Sequence, residues 1–174
     1  MARIVYKKGL EGQNRLECIE GIEIELLNGQ NALVYPKYAQ LPLLTEKNIE
    51  SWDAKSASEI EALKKYENLW ATGVLLKNGS PAAEFVSNFH SDKHNSIFAL
   101  PTLLAAMEIQ GQKEDIDALA KTIEDADLLR DTNSDVWSCS RSGRAQGWFV
   151  SGYYGDLYRC DVWCSFLAVP VILY

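Results

Sequence analysis

Two histidines four residues apart, His90 and His94, have the spacing most suggestive of chemistry, because an HxxxH pair on one helix face can present two imidazoles to a zinc ion. Between them lie Ser91, Asp92 and Lys93, with no metalloprotease glutamate and no evident third ligand, so the segment reads as a solvent-exposed turn. Cys139, set between Ser138 and Ser140, would serve as a nucleophile only with a base in hydrogen-bond reach, and both histidines are remote in sequence. Glu20, Glu23 and Glu25 could form a carboxylate pair for acid–base work. Alternation with Ile22 and Ile24 instead assigns them to the solvated face of a hairpin, with nothing nearby to split their pKa values. The glycines form no GxGxxG or phosphate loop. These residues predict a protein that is not an enzyme and has neither metal nor cofactor.

The elements that position such residues follow from patterning. Ile22, Ile24 and Leu26 alternate with acidic residues, Asn28-Gly29 supplies a turn, and Ala32 to Tyr35 returns as a strand stopped by Pro36. Ser56 with Glu59 forms a capping box that opens a helix to about Asn68. Ser80-Pro81 starts a second helix that buries Phe85 and Phe89, Leu100 to Leu104 begins a third, and Lys113 to about Leu129 makes a fourth. A β-rich tail follows the polar loop at 131–134. Together these predict a single α+β domain over 1–174, with hairpin and helices in 1–99 and the remaining motifs in 100–174.

Composition narrows the function. With 174 residues, 47% of them hydrophobic and 24% charged, the chain can bury a core without staples. A net charge of -7 argues against nucleic acid, which needs a basic stripe. No apolar run is long enough to span a bilayer, and Met1 to Lys8 contains no signal-like segment, so synthesis in a reducing cytoplasm is expected. Cys18, Cys139, Cys160 and Cys164 lack CxxC spacing and are read as free thiols, with Cys160 and Cys164 the pair to bridge in an exported protein.

The tail is the most unusual part. Residues 137–174 hold half of the chain's aromatics, interleaved with Ser, Gly and Asp, the residue types that recognition loops favour. Leu100-Pro101-Thr102-Leu103, Trp137-Ser138-Cys139-Ser140, Ala145 to Trp148-Phe149-Val150, Gly155-Asp156-Leu157, Ser165 and Ala168-Val169-Pro170-Val171, in that order, resemble the C-type-lectin-like variable proteins of diversity-generating retroelements and their non-variable bacterial relatives. The chain departs from that pattern at Val169, where many relatives have Arg, at Cys139, where Ser or Thr is usual, and at the inserted Gln146-Gly147. It lacks the calcium-site signature of sugar-binding lectins.

The resemblance implies a C-type-lectin-like fold with framework positions Trp137, Trp148, Val150, Gly155, Leu157, Ser165, Val169 and Pro170. It implies ligand-binding positions at Ser140, Arg141, Arg144, Gln146, Ser151, Tyr153, Tyr154, Asp156, Tyr158, Arg159, Asp161, Trp163 and Phe166. The expected function is binding of a protein or cell-surface ligand through a diversified face, on a phage particle or cell surface. The alternative is a structural or assembly protein of a phage or surface appendage that uses the same tail as a subunit interface. Oligomeric state is left open.

Overall fold

The computed structural model describes residues 1–45, 67–131, 134–143 and 145–174. The predicted hairpin forms as expected. Strand β2 (Ile19–Glu25) pairs antiparallel with β3 (Asn31–Val34), Ile22 opposite Val34 and Ile24 opposite Ala32, around a turn in which Gly29 takes φ +83°. Strands β1 (Arg3–Tyr6) and β11 (Val171–Leu173) flank the pair, giving a four-stranded antiparallel sheet in the order β1-β2-β3-β11.

Both faces of this sheet are covered, which corrects the expectation that the acidic residues of β2 are solvated. Ile22, Ile24, Ala32, Val34, Val171 and Leu173 enter the main core, while Leu33 and Ile172 pack with Phe98 on the other side. Glu23, opposite Leu33, is therefore only 8% exposed and is held by Arg3 and by the Tyr174 hydroxyl. Glu20 is 3% exposed, and of the three only Glu25 stays at the surface.

Helix α1 (Glu67–Lys77) is followed by α2 (Pro81–Ser87), whose N-cap Ser80 accepts the Ala83 N–H at 3.0 Å ahead of Pro81. The helix predicted from Ser56 to Asn68 lies almost wholly outside the described residues. Phe85 and Phe89 are half-buried, and Phe89, just beyond α2, stacks on Tyr35. Next come β5 (His90–Ser91) and β6 (Ser96–Ile97), a small two-stranded unit, so His90 and His94 share no helix face; among the described residues no cluster fits a metal ion.

Thr102 caps α3 (Leu103–Gly111) through its hydroxyl, 3.2 Å from the Ala105 nitrogen. Helix α4 (Lys113–Ala120) buries Ile116 and Ala120 but stops nine residues short of the predicted end at Leu129; the chain turns so that Ile123 can bury and Glu124 can bond to Asn14 and Leu16. No helix among the described residues is long and apolar enough to cross a membrane.

The tail builds a second sheet in the order β4-β10-β7-β8-β9, from β4 (Ala39–Leu41), β7 (Val136–Arg141), β8 (Gln146–Val150), β9 (Leu157–Asp161) and β10 (Phe166–Ala168). Among the described strands of this sheet, β10 and β7 pair parallel and the other neighbours antiparallel. Helices α1 and α2 pack with Trp137, Leu43 and Val162 in one apolar cluster, and α3 and α4 join Val136 and Val150 in the other. The architecture is thus mixed α+β, as the patterning predicts.

Candidate functional site: an aromatic face on the second sheet

The site begins in the core. Trp137 is fully buried at the start of β7, and its indole Nε1 donates to the Leu41 carbonyl at 2.9 Å, tying β7 to β4. Its ring lies 4.7 Å from Phe166 and 6.2 Å from Phe149. Room for this packing comes from Gly147, where an added Cβ would sit 2.6 Å from a Leu43 methyl and 3.1 Å from the Trp137 ring. Gly147 is thus a packing requirement of the β7–β8 pair.

From that buried end the rings continue outward. Phe149 contacts Phe166 at 4.3 Å and its cross-strand partner Tyr158 at 6.0 Å; Tyr154 lies 6.1 Å from Tyr158 and 4.6 Å from Tyr153. Along this series exposure rises from 0% at Trp137 to 41% at Tyr158 and 68% at both Tyr153 and Tyr154. Nearby, Arg159 places its guanidinium 5.5 Å from the centre of the Trp148 ring across the β8–β9 pair.

The turn that carries the two exposed tyrosines is held from below. The Ser151 hydroxyl accepts the N–H groups of Tyr153 and Tyr154 at 3.2 and 3.1 Å, and the Ser151 and Gly155 backbones close the turn against Asp156 and each other. Gly155 takes φ +71°, a conformation that explains a glycine there. Asp135 accepts the Gly152 N–H at 3.0 Å, and Lys113 Nζ donates to the Gly152 carbonyl at 2.7 Å. Gln110, buried on α3, donates to the carbonyls of Ser134 and Val150, so α3 fixes the base of both strands. The signal of this contact in the sequence is a glutamine directly after the apolar residues Ala105, Ala106 and Ile109 of the helix.

A second turn, between β9 and β10, presents Trp163 at 43% exposure. Val162 beside it is fully buried, with its N–H on Ala145 O and its carbonyl accepting from Leu44 N. Cys160 and Cys164 are joined by a disulfide across this turn, which corrects the reading of both as free thiols; Cys18 and Cys139 are buried and in no disulfide. The spacing was informative after all, since a turn returns the chain within bridging distance, Cα to Cα 6.7 Å.

No family model, curated protein or solved structure matches this chain. The geometry therefore stands alone in sorting the thirteen positions. Gln146, Tyr153, Tyr154, Asp156, Tyr158, Arg159 and Trp163 are exposed. Asp161 and Phe166 are half-buried, the latter inside the ring series. Ser140, Arg141 and Ser151 are buried. Arg144 lies outside the described residues. Of the framework positions, Trp137, Val150, Val169 and Pro170 are buried, Trp148 and Leu157 half-buried, and Gly155 and Ser165 exposed.

Cys139 is buried on β7 with its N–H on Pro101 O, while the His94 ring lies tilted against Tyr174, 4.1 Å between centres, beside the four-stranded sheet.

Proposed function

We propose that this chain is a non-enzymatic binding protein that engages a protein or cell-surface ligand through the aromatic face of its second sheet. The observation that carries the reading is the exposed series Tyr153, Tyr154 and Tyr158, with ring separations of 4.6 and 6.1 Å, together with Trp163 on the next turn, all at least 41% exposed, and with exposed Asp156 and Arg159 on the same turn and strand. Large apolar rings held at the surface by a rigid base cost free energy unless something covers them, and Tyr, Trp and Arg are the residues that most often anchor a partner. Tyrosines on Ser- and Gly-stabilised turns lose little entropy on binding because the turn is already ordered.

The finer fold reading, a C-type-lectin-like scaffold related to diversified variable proteins, belongs to the same proposal. It is supported by the placing of the sequence motifs: the Trp137 and Val169-Pro170 framework is buried, and most of the positions between the motifs lie on one strand pair and its turns.

The test is a binding screen of the purified chain against arrayed surface proteins and whole cells, repeated with Tyr154→Ala and Trp163→Ala. Each substitution is expected to weaken capture by about 1–4 kcal/mol with an almost unchanged melting temperature. Light scattering separates the assembly alternative. A stable symmetric oligomer that hides Tyr153 and Trp163 favours a subunit interface, whereas equal capture by both variants refutes binding through this face.

A further inference from the structure

A different place in the molecule has the marks of a small-molecule site. In the pairing of β1 with β2, Val5 is opposite Gly21 and Tyr6 opposite Ile19, so Glu20 is the extra residue of a bulge. Bulges re-aim a side chain, and Glu20 lines a groove of about 720 Å³ together with the charged residues Lys7, Lys8, Lys93, Glu11 and Asp92. Although it is 3% exposed, its carboxylate is only half used. Oε1 accepts the Lys93 backbone N–H at 3.2 Å, and Oε2 is buried with no hydrogen-bond partner. Among the described residues none of the three lysine ammoniums forms an ion pair with it.

A buried carboxylate oxygen without a donor is costly, and the compensation that suits it is a charged N–H group. Three lysines around the same groove suit an anionic group, while Glu11 and Asp92 on its lining balance their charge, so a ligand bearing both signs fits better than a plain anion. We propose that this groove binds a small zwitterion of the amino-acid or short-peptide class, its ammonium donating to Glu20 Oε2 and its carboxylate facing Lys7, Lys8 and Lys93. The site is independent of the aromatic face and goes beyond the binding function assigned to it.

The test uses ligand-observed saturation-transfer NMR on the intact chain, with a mixture of the standard amino acids and glycylglycine as probes. Acetate and glycine betaine, which each lack the N–H donor, serve as controls. The expected result is transfer to one or more probes, with a dissociation constant of about millimolar or tighter, and none to the controls. Glu20→Gln keeps the shape and the acceptor for Lys93 but removes the charge, and is expected to weaken binding at least about tenfold. The double variant Lys7→Ala, Lys8→Ala alters only side chains at the groove mouth, so it poses the question without touching a buried group, and it too is expected to weaken binding. Absence of transfer to every probe, or unchanged affinity in either variant, overturns the proposal. Tyr154→Ala is expected to leave this binding unchanged, which separates its failure from that of the aromatic face.

Discussion

Trp137→Phe is the substitution that most sharply probes how the face is built. The smaller ring leaves the benzo half of the indole site empty, a void of about 40 Å³ that costs about 1 kcal/mol at roughly 24 cal/mol per Å³. It also removes the Nε1 donor from the half-buried Leu41 carbonyl, and losing that hydrogen bond costs about 1–2 kcal/mol more. The sum, about 2–3 kcal/mol, is a large share of the stability of about 5–15 kcal/mol expected for a domain. Urea denaturation followed by tryptophan fluorescence and by far-UV circular dichroism reads it directly. With a slope of about 2 kcal/mol per molar, the midpoint is expected to fall by about 1–1.5 M with the slope unchanged. A fall below about 0.3 M would refute the reasoning, because it would mean that Trp137 neither fills the space between the strands nor holds β4 to β7.

Three further outcomes are expected. Gly147→Ala forces a Cβ to 2.6 Å from the Leu43 methyl and 3.1 Å from the Trp137 ring, so thermal unfolding is expected to show a loss of about 1–3 kcal/mol. Replacing both Cys160 and Cys164 by Ser opens a loop of about five residues, for which chain entropy predicts a loss of about 2 kcal/mol; thiol titration of the unreduced, denatured wild type should count only Cys18 and Cys139. The pH dependence rests on two groups. Desolvation, then Lys93, lowers the His94 pKa below the ordinary histidine value of about 6.5, so the unfolded chain takes the proton more readily and stability falls as pH drops through about 6.5. For Glu23 burial pushes the pKa up, but hydrogen bonds from Tyr174 and Arg3 outweigh it and the carboxyl titrates below 4.5. Its contribution is therefore present above 4.5 and lost as pH falls through the lower folded value. His94→Gln is expected to flatten the upper part of the stability curve measured by urea titration between about pH 7.5 and 5.5, and an equally steep curve in that variant would exclude His94 as its source.

What could be read from the sequence follows from what local pattern encodes. The hairpin of β2 and β3 was legible because alternation and Asn28-Gly29 act within one short stretch. Helices α2 and α3 were legible because Ser80-Pro81 and Thr102 are caps that satisfy their own first turn. Burial of Glu20 and Glu23 was not legible, since it is imposed on β2 by Lys93, Tyr174 and Phe98 from distant parts of the chain. Within the site, Tyr153, Tyr154, Tyr158 and Trp163 are exposed at positions the resemblance implied. Ser151 shows the limit of that reading: a serine between aromatics suits a contact residue, yet here its hydroxyl is spent on holding the tyrosine turn. Ser140 lies inside β7 for the same kind of reason, because a bulged strand between two partners leaves little surface to a small residue.

The central claim, that this face is displayed for binding and diversified, is tested most directly by sequencing the coding region in many independent isolates of the source. The account predicts substitutions concentrated at Tyr153, Tyr154, Asp156, Tyr158, Arg159 and Trp163, with Trp137, Gly147, Val150 and Val169 fixed. Substitutions spread evenly over the surface, or a tail that does not vary at all, would contradict it.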